Sequence, residues 1–451
     1  MLAYELLDAS QKEAIEKICN GINSGMSETA IKGYAGTGKS TIMFHLAREL
    51  QETGWAVDFV APTNKAVDVL KKKGVQEPQT VYSAMYAPAW HPDLVKAFTE
   101  LGRLHAMSGG EPDNMTEDML KQLPTLVGVV GDVEHIRRGL KAYYGSDENM
   151  LCMKVAGINT WDYLLGWEPR NEPKTQTVAI VDEASMLPEP VYNDLISVYP
   201  AVVLVGDGFQ LPPVKAKAAL HIPALCATLT TIHRQDNRIV DMAHSIRQMD
   251  QPVQLKQFAG EDVSILTAGD WIFDYVASKA PMITWTNKSR ISFINTVRNH
   301  FGHTSIEPQV GEPLIVRENR QKPSLVTNAT GIVESRDSEG YILLKLEGSE
   351  QKFRHFPYME DYNEIPRPFA LPLRYGYAAT AHTTQGGEWP VVMVDIESFS
   401  WMRNVPYFDN AEEEARRWLY TAVTRASKKV VIVTGLQKWL KTQATSMSSA
   451  A

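Results

Sequence analysis

The stretch Gly33-Tyr34-Ala35-Gly36-Thr37-Gly38-Lys39-Ser40 constrains this chain more than any other, because it fits G-x-x-x-x-G-K-[ST] in a strand–loop–helix setting. The β-like run Thr29-Ala30-Ile31-Lys32 precedes it, and a helical pattern from Ser40 to Thr53 follows, stopped by Gly54. The glycines let successive backbone N–H groups curl around phosphate oxygens, and the helix N-terminus adds the positive end of its dipole. Lys39 is expected to reach the β- and γ-phosphates of a nucleotide, and the Ser40 hydroxyl to ligate Mg²⁺. Gly33, Ala35, Gly36, Thr37, Gly38 and Thr41 complete the expected cradle.

Strands alternate with helices on both sides of this loop, which is the pattern of a parallel α/β sheet. Asp8 to Ile22 reads as a helix, with Asp8 as N-cap and Gln11 three residues on. Ala56-Val57-Asp58-Phe59-Val60-Ala61 reads as a buried strand, ended by Pro62. The pattern loosens between about 85 and 175, where short helical pieces (Asp93–Met107, Glu117–Leu123, Val133–Tyr144) alternate with Gly/Pro/Asp-rich breaks. It resumes at Val178-Ala179-Ile180-Val181 and at Val202-Val203-Leu204-Val205.

A chain of 451 residues holds two to four domains, and a second α/β unit begins near Leu229. Short alternating stretches from about Gly311 to Phe369 predict a small β-barrel-like module inside it. The expected organisation is a first α/β domain over 1–228 and a second over 229–305 and 371–440. A β module over 306–370 interrupts the second. The tail, 441–451, is expected to be disordered for want of apolar residues.

A phosphate cradle alone serves many kinds of nucleotide enzyme. Val178-Ala179-Ile180-Val181-Asp182-Glu183-Ala184-Ser185 narrows the choice, because two carboxylates emerge at the carboxyl end of a buried strand, where open α/β sheets bind ligands. Asp182 is expected to hold Mg²⁺, and Glu183 to orient and deprotonate an attacking water. Hydrolysis of ATP follows as the expected chemistry.

Composition sets outer limits. A net charge of −8, with 44% hydrophobic and 22% charged residues, excludes disordered and collagen-like chains and a uniformly basic nucleic-acid binder. It leaves room for a local basic groove on an acidic body. Cys19, Cys152 and Cys226 lie far apart, which excludes a disulfide framework and a zinc knuckle and points to a reducing compartment. The charged N-terminus is unlike a signal peptide, and no run approaches the roughly 18 apolar residues of a membrane span. A cytoplasmic protein with no membrane partner is expected.

The remaining motifs, taken in order, resemble superfamily 1 helicases, in particular the 5′→3′ RecD/Dda-like branch. Gln11 resembles the glutamine that reads the adenine edge in that family; as a capping-box partner it has an equally good local role. Ala61-Pro62-Thr63-Asn64-Lys65-Ala66 and Thr80-Val81-Tyr82-Ser83 look like motifs Ia and Ib. The resemblance implies that Pro62, Thr63, Asn64, Thr80 and Ser83 hold strand phosphates. Gly206-Asp207-Gly208-Phe209-Gln210-Leu211-Pro212-Pro213-Val214 looks like motif III, which makes Gln210 a γ-phosphate sensor. Ile232-His233-Arg234-Gln235 resembles motif IV, with Arg234 as one arginine finger. Thr286-Asn287-Lys288, followed by Asn295, resembles a strand-contacting segment of the second lobe.

Tyr377 to Glu388 looks like motif V, implying nucleic-acid contacts from Thr380, His382 and Thr383 and a nucleotide contact from Glu388. Tyr420-Thr421-Ala422-Val423-Thr424-Arg425-Ala426-Ser427 looks like motif VI, with Arg425 as the second finger. The fold the resemblance implies is two RecA-like P-loop domains, with a mainly helical insertion in one and a small SH3-like β insertion in the other. The activity it implies is an ATP- and Mg²⁺-dependent helicase or translocase stimulated by single-stranded DNA. Tailed duplex DNA and replication or recombination proteins are the partners it admits. An RNA helicase on the same scaffold and an ATP-gated clamp or loader are the competing readings. Candidate base-stacking residues are Tyr82, Tyr86, Trp90 and Trp285. Relatives part the duplex with a β-hairpin pin after motif Ib, and no hairpin is legible here.

Overall fold

The computed structural model describes residues 4–143, 152–153, 155–158, 160–170, 173–213, 216–231, 238–248, 254–317, 327–346, 352–362, 370–405 and 410–448. The chain divides into two compact units, one of Met1–Ala84 with Pro173–Ala451 and one of Met85–Glu172.

The larger unit is built on two parallel sheets. The first holds β1 (Glu28–Gly33), β2 (Ala56–Ala61), β3 (Gln79–Thr80), β6 (Thr177–Val181), β7 (Ala201–Gly206) and β8 (Leu225–Leu229) in the order β3-β2-β6-β7-β1-β8. The second holds β9 (Val263–Thr267), β10 (Met282–Thr284), β17 (Ala378–Thr380), β18 (Trp389–Asp395) and β19 (Ala426–Thr434) in the order β17-β10-β18-β19-β9. Renumbered within each lobe, β8 aside, both sheets run 3-2-4-5-1. The expected pair of RecA-like domains is therefore present as two copies of one strand order. Every residue of β6 and β7 is buried. That explains their unbroken Val/Ile/Leu runs, since a parallel sheet is covered by helices on both faces.

The helices that cover these sheets end where the sequence signals. Helix Ala9–Asn23 starts on a reciprocal capping box between Asp8 and Gln11. With helix Lys39–Glu52 it buries Ile15, Ile18, Ile42, Leu46 and Leu50 against Val178 and Val203. Burying an aliphatic side chain is worth about 1.5–3 kcal/mol, so this stripe is what fixes the P-loop helix on its sheet.

Between β10 and β17 the chain leaves the second lobe to form a six-stranded sheet, β14-β13-β12-β11-β16-β15. Its strands are β11 (Pro313–Val316), β12 (Thr330–Arg336), β13 (Ile342–Leu346), β14 (Lys352–His355), β15 (Pro357–Met359) and β16 (Leu371–Tyr375). This corrects one expected boundary: residues 371–375, assigned above to the second α/β domain, alternate inward and outward and pair with β11. The small sheet shares a core with the second lobe, where Leu314, Leu344 and Leu373 meet Met282, Phe293 and Met393. A buried two-pronged ion pair from Arg298 to Glu312 (2.7 and 3.2 Å) clamps helix Asn287–His300 to the segment entering β11.

Two further expectations are corrected. Helix Leu436–Ser448 carries through most of the tail expected to be disordered, because Leu436 and Leu440 are buried and anchor its first turns; residues 449–451 lie outside the described residues. The Met85–Glu172 unit is mainly helical but also contains an antiparallel ribbon, β4 (Tyr86–Trp90) against β5 (Leu164–Pro169), where no hairpin was legible. Between these strands, Leu94, Leu101, Leu104, Leu126 and Leu140 form a core of their own.

Candidate nucleotide and strand site

The P-loop leaves β1 at Gly33 and enters its helix at Lys39, with Gly36 and Gly38 in the left-handed region (φ 83° and 78°). That is why these positions take glycine. Lys39 Nζ donates to the Gly33 and Tyr34 carbonyls (2.8 and 3.0 Å), so it is folded over its own loop. Thr37 is buried, and its carbonyl accepts from Gln11 Nε2 (3.2 Å). Gln11 Oε1 accepts from the Asp8 N–H (3.2 Å). Gln11 thus serves as the capping-box partner and braces the loop, and both ends of its amide are engaged.

A cleft of about 420 Å³ runs from Tyr34–Ser40 past Lys73, Asp182, Glu183 and Gln210 to Gly386–Glu388, Thr424 and Arg425. Two lobes therefore contribute to one wall. Gln11, Gly33 and Thr41 stand behind it rather than on it. Asp182 is buried at the end of β6 and accepts from the Glu183 N–H (2.9 Å). Burial pushes its carboxyl up to about 6, and the neighbouring Glu183 adds to the rise; Lys73 and Lys39 pull the other way. Glu183 has φ 53°, a left-handed turn that ends the strand. Gln210 is 5% exposed, and its amide oxygen has no partner among the described residues. An acceptor of that kind suits a water in the cleft.

Arg425 is 6% exposed. Its three donors go to neutral oxygens: the Thr421 carbonyl (3.1 Å), the Gly387 carbonyl (3.2 Å) and Thr424 Oγ1 (3.3 Å). Arg234 lies outside the described residues.

Side chains that the sequence did not single out close the seam. Tyr420 is buried, its hydroxyl accepts from the Ala35 N–H of the P-loop (3.0 Å), and it donates to Asp207 Oδ2. Burial and the adjacent Asp207 carboxylate raise the Tyr420 phenol well above its ordinary value, so it stays a hydroxyl donor. Thr421 Oγ1 accepts from the Leu211 N–H (3.0 Å), and Gln385 Nε2 donates to the Leu211 carbonyl (2.9 Å). Lys73, at the end of the helix that follows motif Ia, donates to Ser40 Oγ (2.7 Å). Tyr420 and Thr421 lie within the quoted motif VI string; Lys73 carries no sequence signal beyond a basic helix end.

The implied metal fits this donor set. Ser40 Oγ and the Asp182 carboxylate are hard oxygen ligands, and an ammonium already sits on the Ser40 hydroxyl.

The candidate strand contacts occupy the carboxyl ends of neighbouring strands in both sheets. Pro62–Asn64 and Thr80–Ser83 follow the adjacent β2 and β3; Thr286–Asn287 and Thr380–Thr383 follow the adjacent β10 and β17. Their side chains are locally engaged. Thr63 and Thr286 cap helices through Ala66 N (3.2 Å) and Ser289 N (3.1 Å). Thr80 caps Ser83 N (3.1 Å), Thr380 and Thr383 share a hydrogen bond (3.0 Å), and Asn287 Oδ1 accepts from Arg290 Nε (3.1 Å). His382 is half-buried, and burial lowers its pKa, keeping it neutral. Of the candidate stacking residues, Tyr82 is exposed, whereas Tyr86, Trp90 and Trp285 are half-buried. Leu165 and Trp167, which the sequence reading passed over, stand exposed on β5.

A phosphate loop facing an arginine across the seam of two like-ordered parallel sheets defines a two-lobed P-loop nucleotide-binding protein. The AAA domain family matches residues 11–216, and the UvrD-like helicase C-terminal domain family matches residues 375–433. In both matches the chain is similar to superfamily 1 helicases of the RecD type. It is 24% identical over 314 residues to the ATP-dependent RecD2 DNA helicase of Deinococcus radiodurans, covering 61% of this chain and 40% of that one. It is 26% identical over 219 residues to the DNA replication ATP-dependent helicase/nuclease DNA2 of Gallus gallus, covering 46% of this chain and 18% of that one. The chain thus spans less than half the length of these relatives. Among solved structures it is similar to a Bacteroides Pif1 helicase in complex with ADP-AlF3 and single-stranded DNA, with a TM-score of 0.49, 15% identity and coverage of 99% and 98%. No helix among the described residues is long and apolar enough to cross a membrane.

Proposed function

We propose that the chain is an ATP-dependent DNA helicase or translocase whose turnover is stimulated by single-stranded DNA and which moves 5′→3′. One observation carries the reading: Arg425 and Gly386–Glu388 of the second lobe line the same cleft as Lys39, Asp182, Glu183 and Gln210 of the first. The relatives' names point the same way.

In this reading Lys39 leaves its own loop carbonyls for the phosphates of ATP. Ser40 and Asp182 would hold Mg²⁺, which when bound neutralises phosphate charge. Glu183 takes the proton of the attacking water, and the free amide oxygen of Gln210 orients that water. Arg425 exchanges neutral oxygens for the charge that builds on the γ-phosphate, the change in which a preorganised cation lowers a barrier most. Contacts from both lobes to one nucleotide favour the shut cleft, and cleavage removes the bridging group. If the two strand-contacting edges hold DNA in alternation, each cycle advances the chain. The ribbon of β4 and β5, with Leu165 and Trp167 exposed, supplies a strand-parting element of the kind the family resemblance implies.

The test is strand displacement on a 5′-tailed duplex, with a 3′-tailed duplex and an RNA-tailed duplex as controls. ATP-dependent displacement of the 5′-tailed DNA alone supports the proposal, and Lys39→Ala should abolish it. Stimulated turnover without displacement would favour a clamp, and displacement from the 3′ tail would refute the polarity.

A further inference from the structure

Next to the nucleotide cleft lies a larger cavity, of about 640 Å³, to which no role has been given. It has a first-lobe wall from helix Asn64–Lys72 and Lys73, and a second-lobe wall that includes Lys279 and Trp389. The small sheet closes it with the segment around Thr330. Its charges are lopsided: Lys65, Lys72, Lys73 and Lys279 face only Asp68 and Glu388. On a chain of net charge −8 this is a local positive field in a cavity with partly apolar walls, where field lines are focused.

The two cavities share Val69, Lys73, Gly386, Gly387 and Glu388. That shared border can be assigned to one end of a bound nucleotide. Lys73 holds the Ser40 hydroxyl, and the Gly387 carbonyl accepts from Arg425, so both neighbours belong to the terminal-phosphate end. Gln11, at the opposite end of the P-loop reading, borders neither cavity. A Cβ on Gly387 would come within 2.5 Å of Lys65 Nζ and 2.8 Å of the Trp389 ring, so Lys65 and Trp389 lie directly against Gly387 at that border. Lys65 itself packs over the Trp389 ring at 4.2 Å, a contact that joins the two lobes at the cavity's wall.

We propose that this lysine-lined cavity takes up the phosphate oxyanion cut from the nucleotide and conducts it out, with Lys73 at the threshold. The inference rests on the ATP-hydrolysing reading above. Lys72 and Lys279 line the cavity but not the nucleotide cleft, so they act on the departing product and not on the cleavage step. A strand phosphate is the other source of the same oxyanion chemistry.

The full chain is tested with single-stranded DNA in one turnover of radiolabelled ATP. Acid quenching reads cleaved phosphate, and a fluorescent phosphate-binding protein reads phosphate in solution. The double variant Lys72→Glu/Lys279→Glu should cleave at the parent rate yet deliver phosphate to solution about tenfold more slowly, since it turns a steering field into a repelling one. Lys71→Glu, on the same helix but off the cavity wall, should leave both rates unchanged. Release that keeps pace with cleavage in the double variant overturns the proposal. So does unchanged release with weakened oligonucleotide binding, which would give these lysines to the strand. Absence of cleavage in the parent chain would instead sink the ATPase reading on which the inference stands.

Discussion

Val178–Ser185 reads VAIVDEAS and Val391–Ser398 reads VVMVDIES, and the two segments end the fourth strand, in chain order, of their respective lobes. Each brings a buried aspartate to the carboxyl edge of its sheet, Asp182 in the first lobe and Asp395 in the second, and burial pushes both carboxyls up to about 6. Their neighbours differ. Asp182 faces the P-loop lysine and Lys73, and Ser185 Oγ has no partner among the described residues. Asp395 accepts from the Glu397 N–H (3.1 Å) and from Ser398 Oγ (2.8 Å), and Ser398 Oγ accepts from the Trp285 N–H (3.1 Å). The same backbone position lines the cleft beside the phosphate loop in one lobe and is taken up by hydrogen bonds from the Glu397 N–H and Ser398 in the other.

The first strand explains the contrast. In lobe one, β1 runs into the glycine-rich loop before helix Lys39–Glu52. In lobe two, β9 reaches helix Trp271–Ala277 through only Ala268, Gly269 and Asp270. Three residues are too few for a phosphate cradle, so Asp395 has no partner loop and is used as a helix cap. The fold alone thus does not confer the site; loop length at one strand end does.

The largest expected effect breaks the comparison outright. On the function proposed above, Glu183→Gln and Arg425→Ala should each cut strand-stimulated ATP turnover by about a thousandfold, because one removes the proposed base and the other the proposed cation from the opposite lobe. Circular dichroism should remain unchanged. Arg425→Ala retaining full turnover would return that side chain to a structural role.

Tyr420→Phe sharpens it. Its hydroxyl joins the P-loop Ala35 N–H to Asp207, so its loss leaves a buried carboxylate without that donor and the loop without a tie to the second lobe. Hydrogen bonds to charged groups are worth about 1.5–3 kcal/mol, which predicts roughly a tenfold or larger fall in turnover. Nucleotide binding to the first lobe should change little, and a fluorescent ADP analogue measures it. Equal losses in binding and turnover would show that the hydroxyl only braces the loop.

Much of this was legible because it is local. The P-loop, its cap and the Val178–Ser185 strand are each set by a few adjacent residues, whose backbone geometry follows from residue type. What stayed hidden depends on distant partners. Tyr86–Trp90 contains Pro88 and pairs with a strand holding Gly166 and Pro169, all of which weaken a strand signal. Only pairing across the helices between them makes the ribbon. Lys73 ends a lysine run that reads as complementing a helix dipole, and only the fold brings it to Ser40. The tail helix persists because extension from an anchored turn costs little, which composition does not report.

The smallest expected effect concerns Asp395. Its folded pKa lies near 6, raised by burial in spite of its hydrogen bonds from Ser398 and the backbone, whereas an unfolded aspartate titrates near 3.9. The folded chain therefore holds this proton more tightly, and the group contributes stability that is fully present below about pH 4 and is lost as pH rises through about 6. Asp395→Asn keeps the acceptor for the Glu397 N–H, turns the oxygen that faces Ser398 Oγ into an NH2 that this hydroxyl can accept from, and removes the charge. Measured as melting temperature relative to the parent, the variant should gain ground between pH 4.5 and pH 7.5, with turnover at pH 7.5 nearly unchanged. Asp182→Asn should fail that second criterion, since its carboxylate is the one facing the loop. A variant-minus-parent difference that stays flat across this window would mean that Asp395 titrates alike in the folded and unfolded chains and is ionised in the folded chain throughout it. The two lobes would then differ in charge below about pH 6 as well as in partners.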